Sequence, residues 1–390
     1  MAERDDELAI ETGGPTWQIW LRIGLAPAHP APLARRALVL AGIAWLPPLL
    51  LSLRSGLAYG DAVPVPYLRD FSVYARFVFV VLVLTFADAS VGARLRTTLL
   101  RFGEAKLVLP GSERAFLDAV LRARRRVASP LAEAVMLAGS YALAWLVLRR
   151  ELGNGVSTWH ALASGDGEAI TGAGWWYVLV SLPIFYFLFL RWAYRGALWT
   201  ALLGRISRLE LRLVATHPDQ AAGLGFLAHG QAGFAPLVLA ASASLSSALG
   251  TQVIYEHAPL EQFYPTLAAF VVLVLVVVLA PLLAFAPRLV RLKHESLFEY
   301  GALATGHDDA FRAKWVRKDV DRAALLGDPD PSSLADLGTG YDRVEAMRPF
   351  PFDRAAIGPI AVAAILPMLP LIATKVPLSE ILKDLIKVVM

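Results

Sequence analysis

The chain has 390 residues, of which 56% are hydrophobic and 18% charged, against roughly 45–50% and 25% in a soluble domain, and its mean hydropathy is +0.53. It has no cysteine, which excludes disulfides, thiolate metal sites, iron–sulfur clusters and cysteine nucleophiles. The net charge is +4, but the basic residues fall in a membrane-topology pattern, so no nucleic-acid partner is expected.

Residues 1–36 open with an acidic stretch and lack a basic n-region leading into an apolar core. They read as a cytoplasmic N-terminal segment without a cleavable signal, with the first span as a signal-anchor. A membrane helix needs about 20 mostly apolar residues, and seven segments qualify. "ALVLAGIAWLPPLLLSL" (37–53) carries Pro47 and Pro48, and "RFVFVVLVLTFADASVGA" (76–93) holds Asp88. "PLAEAVMLAGSYALAWLVL" (130–148) and "WWYVLVSLPIFYFLFL" (175–190) follow. "GFLAHGQAGFAPLVLAASASLSSAL" (225–249), "PTLAAFVVLVLVVVLAPLLAFAP" (265–287) and "AAIGPIAVAAILPMLPLIAT" (355–374) complete the set. The fold class is therefore all-α: a polytopic transmembrane helical bundle of about seven spans, with amphipathic interfacial helices. With the N-terminus inside, 29 of the 37 Lys and Arg fall in segments on one side, as the positive-inside rule requires.

The spans one to six occupy residues 37–287, with two basic cytoplasmic loops. In loop 94–129, Ala115, Phe116, Ala119, Val120 and Ala123 recur at helical spacing beside Arg122, Arg124, Arg125 and Arg126. This predicts an amphipathic helix on the inner leaflet, facing anionic lipid. In loop 191–224, Arg205, Arg208 and Arg212 form one basic stripe if the helix continues. Residues 288–354 read as a cytoplasmic helical segment with 11 basic and 12 acidic residues. Ser332 or Ser333 is the expected N-cap with Asp336 at the capping-box position, and Leu334, Leu337, Tyr341, Val344 and Met347 make the apolar face. About 65 residues with few aromatics is too little for an enzyme domain. Residues 375–390 alternate as an amphipathic C-terminal helix, too short and too charged to span.

His217-Pro218-Asp219 stands before Gly223 and Gly225. The tripeptide marks J-domain co-chaperones, but no second soluble helix pairs with the basic one here. A metal site needs more ligands at suitable spacing, and a phosphate loop needs a preceding strand. The reading adopted is a cap and turn, with Asp219 serving exposed N–H groups at the start of span five and Pro218 holding the residue before it out of helix. The ionisable residues within the spans point to function. Asp88, Glu133, Arg191, Arg195, His217, Asp219, His229 and Gln231 share one end of the bundle and make a candidate polar vestibule. Asp88, short and deep in an apolar run, is expected to pair with Arg191 or Arg195. Small residues on span five, Ala240, Ser244 and Ala248 beside Ala243, Ser247 and Thr251, form a close-packing face that also suits a narrow pore.

Four stretches in order, "YLRDFSVYARFVFVVLVLTFADASVGARL", "THPDQAAGLGFL", "LFEYGALATGHDDAFRAKWV" and "SSLADLGTGYDRVEAMRPFPF", resemble a family of uncharacterised bacterial polytopic inner-membrane proteins. The resemblance runs from about residue 40 onward and implies a bacterial cytoplasmic membrane location. It brings no catalytic residues. The chain reads "DQAAGLGFL" where the family pattern is richer in glycine, with a basic residue after the Asp.

The expected function is a channel or transport pathway for an ion or small solute, working as a homo-oligomer among anionic lipid, without enzymatic activity, cofactor or metal. The alternative is a non-conducting scaffold or sensor that docks partners or lipid through its cytoplasmic loops. A membrane-embedded enzyme using His217 and Asp219 is the weakest reading.

Overall fold

The computed structural model describes residues 13–25, 30–152, 157–164, 167–255, 257–316 and 327–373. The C-terminal helix expected at 375–390 lies outside them. The structure is all-α in character, 79% helical. Among the described residues, seven helical runs are long and apolar enough to cross a membrane: spans one (Pro32–Arg54), two (Phe71–Glu104), three (Pro130–Leu152), four (Gly172–Ile206), five (Phe226–Tyr255), six (Leu260–Val316) and seven (Arg354–Ile372). The chain thus has the architecture of a multi-pass membrane protein. The end carrying Glu104, Pro130 and Ile206 is called here the basic end.

Several runs outlast their apolar stretch. Span two has 34 residues, about 50 Å of helix against about 30 Å of hydrocarbon. Span six continues without a break in helix to Val316, so the segment expected to begin at residue 288 is in part its extension. The helix Asp330–Glu345 folds back on that extension. Its N-cap is Pro329, not Ser332 or Ser333, because Pro331 fits the first turn, where no N–H is needed. Ser333 Oγ instead donates to the Asp330 carbonyl. Leu334, Leu337, Tyr341, Val344 and Met347 do face inward. Gly340 sits where a Cβ would meet the Tyr300 ring at 2.9 Å, so a glycine fits inside that unbroken helix.

Two further expectations are corrected. The helix Glu113–Val127 buries Phe116, Ala119, Val120 and Ala123 against spans two and four, with Phe102 and Phe116 in ring contact. Its apolar face is used within the protein, apart from Ala115, which is exposed. Span four ends at Ile206, so Arg208 and Arg212 leave the helical stripe begun by Arg205. Arg212 N–H donates instead to the Leu107 carbonyl at 2.7 Å.

Span four packs on spans one, two, three and six. Pro47 and Pro48 remain inside the helix of span one. A proline frees the carbonyl four residues earlier, here Ile43 and Ala44. Trp176 Nε1 donates to Ile43 O at 3.1 Å and Ser181 Oγ to Ala44 O at 2.6 Å, so span four supplies both missing donors, as a kinked membrane helix requires. Span five lies between spans two and seven. Between spans three and four, β1 (Ala161–Ser164) and β2 (Gly167–Ile170) pair antiparallel, a hairpin the sequence reading did not anticipate.

Candidate functional site

The His-Pro-Asp loop is built around the Asp219 carboxylate. Its Oδ1 accepts from Ala221 N–H at 2.8 Å and Gly223 N–H at 3.1 Å, and Oδ2 accepts from Gly225 N–H at 2.8 Å. Gly225 is the N-cap residue of span five, so one side chain organises both the turn and the helix start. The chain reverses through left-handed Gln220 (φ 55°), Ala222 (φ 56°) and Gly223 (φ 93°). His217 Nδ1 lies 2.8 Å from Asp219 Oδ1. Burial alone would raise the Asp219 pKa; the backbone N–H groups and His217 outweigh it and hold the carboxyl below its usual value.

Arg348, 129 residues downstream of Asp219, locks this loop to the start of span seven. Its Nη2 donates to the Asp219 carbonyl at 2.7 Å, its N–H to Gln220 O at 2.8 Å and its Nη1 to Phe352 O at 3.0 Å. Asp353, 3.6 Å from Arg348, caps span seven by accepting from Ala356 N–H. Between these parts lies a cavity of about 680 Å³, lined by Arg101 and Glu104 of span two, His217, Asp219, His229, Arg348 and Asp353. Among the described residues, no three His, Asp or Glu side chains are placed to share a metal ion.

Asp88 does not open into this cavity. Arg36 Nη2 donates to Asp88 Oδ2, and Arg195 Nη1 donates to Oδ1 at 2.7 Å. Arg191 Nη1 stands farther off, 3.8 Å from Oδ2. The expected pairing with Arg195 is present, Arg191 is a distant third, and Arg36 was missed. All four groups are buried. Because its helix starts at Pro30, before the apolar run, Arg36 shares the inward face of span one with Leu33, Ala37, Ala41 and Ala44.

The proposed vestibule therefore separates into different places. Asp88, Arg191 and Arg195 form the buried cluster. Glu133 accepts from Thr16 N–H and Thr16 Oγ1, both at 2.8 Å, and so caps the short helix Pro15–Arg22. Gln231 accepts from Trp199 Nε1 at 3.0 Å and donates to Val278 O, just before span six tightens into a 3₁₀ stretch at Ala280–Phe285. Only His217, Asp219 and His229 share the open cavity. The physical reason is reach: Asp88, Glu133, Arg195 and Gln231 are each engaged by a near neighbour rather than left facing a common space.

A second polar network, unread from the sequence, closes the opposite end. Arg76 Nη1 donates to Tyr177 Oη at 3.2 Å, Tyr177 Oη to Glu151 Oε1 at 3.4 Å, and His160 Nε2 lies 3.1 Å from Glu151 Oε2. Two π-helical segments, Tyr74–Val80 and Tyr177–Ser181, carry it. No family model, curated protein or solved structure matches the chain.

One further cavity completes the geometry. About 360 Å³ in volume, it lies toward the end opposite the basic one and is lined by Phe71, Ala75 and Phe79 of span two, Ser246, Ser247 and Gly250 of span five, and Pro367 and Leu371 of span seven. The two cavities thus lie at opposite ends of one seam of spans two, five and seven. Between them the seam is closed by contacts of small residues. A Cβ on Gly230 would meet Thr98 Oγ1 at 2.3 Å, and one on Gly233 would meet Arg94 Cδ at 3.0 Å. Ser242 Oγ donates to the Ala364 carbonyl.

Proposed function

We propose that the chain is a multi-pass protein of the bacterial cytoplasmic membrane, N-terminus inside, that forms a pathway for a small polar solute along the seam of spans two, five and seven. The observation that carries this reading is the pair of cavities at the two ends of that seam, parted by a middle section closed through Gly230, Gly233 and Ser242. Glycine and serine at these contacts let the helices approach closely, and a small displacement of one helix against another would part them. The charged lining of the larger cavity, with both signs and two histidines, suits a polar solute. The skewed distribution of Lys and Arg supports the orientation, and the four ordered motifs support the membrane assigned.

The test uses the purified protein in sealed liposomes. Light-scattering swelling with small neutral solutes and entrapped pH- and chloride-sensitive dyes report passage. The expected result is flux above that of empty liposomes, lost when Ser247→Cys in the smaller cavity is modified by a bulky thiol reagent. The unmodified chain has no cysteine, so it is the matched control. No flux under any imposed gradient, together with capture of a specific cytoplasmic partner, would replace this reading with the scaffold. One feature favours that alternative: Phe298 is 82% exposed on the extension of span six.

A further inference from the structure

The wall of the larger cavity divides into charges that the fold engages and charges that it leaves open. Asp219 is held by three backbone N–H groups and by His217 Nδ1. Arg348 commits its guanidinium to the Asp219 and Phe352 carbonyls. Asp353 caps span seven through Ala356 N–H and stands 3.6 Å from Arg348. Arg101, Glu104 and His229 line the same cavity and are exposed. None of these three has a hydrogen bond or ion pair among the described residues.

Two of the three are opposite charges on one wall. Arg101 and Glu104 stand three residues apart in the last turn of span two, about 4.5 Å along the helix axis. Opposite charges at this spacing can pair across a helix surface, yet here both border the cavity unpaired. Their depths differ. Thr98, one turn before Arg101, meets Gly230 where the seam closes, and His229 is the residue next to Gly230. Phe102 holds Phe226 at a ring distance of 5.2 Å. Arg101 and His229 therefore stand near the closed floor, and Glu104 stands nearer the rim at the basic end. Ala105, Pro218 and Phe226 add apolar surface to the same wall.

We propose that the larger cavity binds a small zwitterion of the amino-acid class, its carboxylate on Arg101 and its ammonium on Glu104. A simple anion drawn to Arg101 is repelled by Glu104 one turn away, and a simple cation at Glu104 meets Arg101 in the same way. A like charge set against the wrong ligand is a means of discrimination. A zwitterion engages both groups, and the planar guanidinium matches a carboxylate in geometry as well as charge. His229 offers a further hydrogen-bonding group at the floor. The apolar part of the wall accommodates a side chain, as in pockets where a few placed polar groups orient the ligand. The assignment rests on reading this cavity as the mouth of the pathway at the basic end, and it names the class of solute.

The experiment measures binding to the purified protein in detergent by isothermal titration. The probes are alanine and leucine, with propionate and ethylamine as the two halves of the zwitterion, all at one ionic strength. Arg101→Gln, Glu104→Gln and the exchange Arg101→Glu with Glu104→Arg accompany the natural chain, and their melting temperatures report folding. The comparison of whole and half ligands needs no variant, so a misfolded one leaves the proposal open to refutation. The expected result is saturable binding of an amino acid and at least tenfold weaker binding of propionate and ethylamine. Each single variant should weaken the amino acid at least tenfold, Glu104→Gln should strengthen propionate, and the exchange should recover part of the loss. No binding of either amino acid, propionate as tight as alanine, or single variants that bind like the natural chain would overturn the proposal. Binding without flux in the liposome assay would keep the site and end the pathway reading, and flux without binding would do the reverse.

Discussion

Asp88 shows how one short side chain can be readable while its partners are not. A carboxylate set this deep in an apolar run cannot extend to water, so a buried cation had to meet it. Arg195 was in reach by helix direction alone. Hydropathy begins only after Arg36, which by sequence falls in the N-terminal segment, yet the helix begins at Pro30 and turns Arg36 inward. Asp88→Asn removes the carboxylate that Arg36 and Arg195 share, and removing one partner of a buried pair costs about 3–5 kcal/mol. The expected outcome is a marked fall in melting temperature in detergent, partly recovered by Arg36→Met in the same chain. An unchanged melting temperature for Asp88→Asn would show that the pairs do not support the fold. Asp219 gives a prediction in pH. Its pKa is lowered in the folded protein because three backbone N–H groups and His217 favour the charged form against burial. A lowered folded pKa stabilises above the ordinary carboxylate range, and that stability is lost as the pH falls through the folded value. Asp219→Asn should therefore lower the melting temperature at neutral pH and flatten its decline in acid. A variant whose acid limb matches the natural chain's would contradict this assignment.

At the scale of elements, the seven spans were legible because each is a run of apolar residues long enough to cross a bilayer. Their ends were not, because a helix does not stop where its hydropathy does. Spans two, four and six run on into polar sequence, held by packing against one another and against Glu113–Val127. The His-Pro-Asp loop was readable as a cap and turn, since Asp219 stands just ahead of glycines and an apolar run. Arg348 was not, because nothing local in the sequence links it to residue 219. The single vestibule failed for a related reason: helix direction places residues at the same end of a bundle, but not on the same side of a helix. The closed middle of the seam offers a test of element packing. Gly230→Ala places a Cβ against Thr98 Oγ1 and forces spans two and five apart, a change of the overpacking kind that costs about 1–3 kcal/mol. Thr98→Ala removes the obstructing hydroxyl. The double variant should melt close to Thr98→Ala alone, and a strictly additive pair would mean the two spans are not in contact there.

For the whole molecule, the proposed orientation rests on charge rather than on any one contact. Basic residues near span ends resist translocation, and 29 of the 37 lie in the segments joined at the basic end. Alternation of the seven spans then places the loop between spans one and two on the other side. The lack of cysteine permits a direct measurement with single introduced thiols. Arg125→Cys and Phe298→Cys sit on exposed positions at the basic end, and Tyr59→Cys, 68% exposed, lies in the loop after span one. A membrane-impermeant maleimide applied to intact spheroplasts should label Tyr59→Cys and leave the other two unlabelled until the membrane is broken. Both basic-end positions bear on the same question by different routes. Arg125 is in the nine-cation loop between spans two and three, and Phe298 is on the helical extension after span six. If only one of them were labelled from outside, the span count between them would be wrong by an odd number. If both were labelled and Tyr59→Cys protected, the bundle would sit inverted. The larger cavity, with Arg101, His229 and Arg348, would then open away from the cytoplasm, and the smaller one would lie toward it.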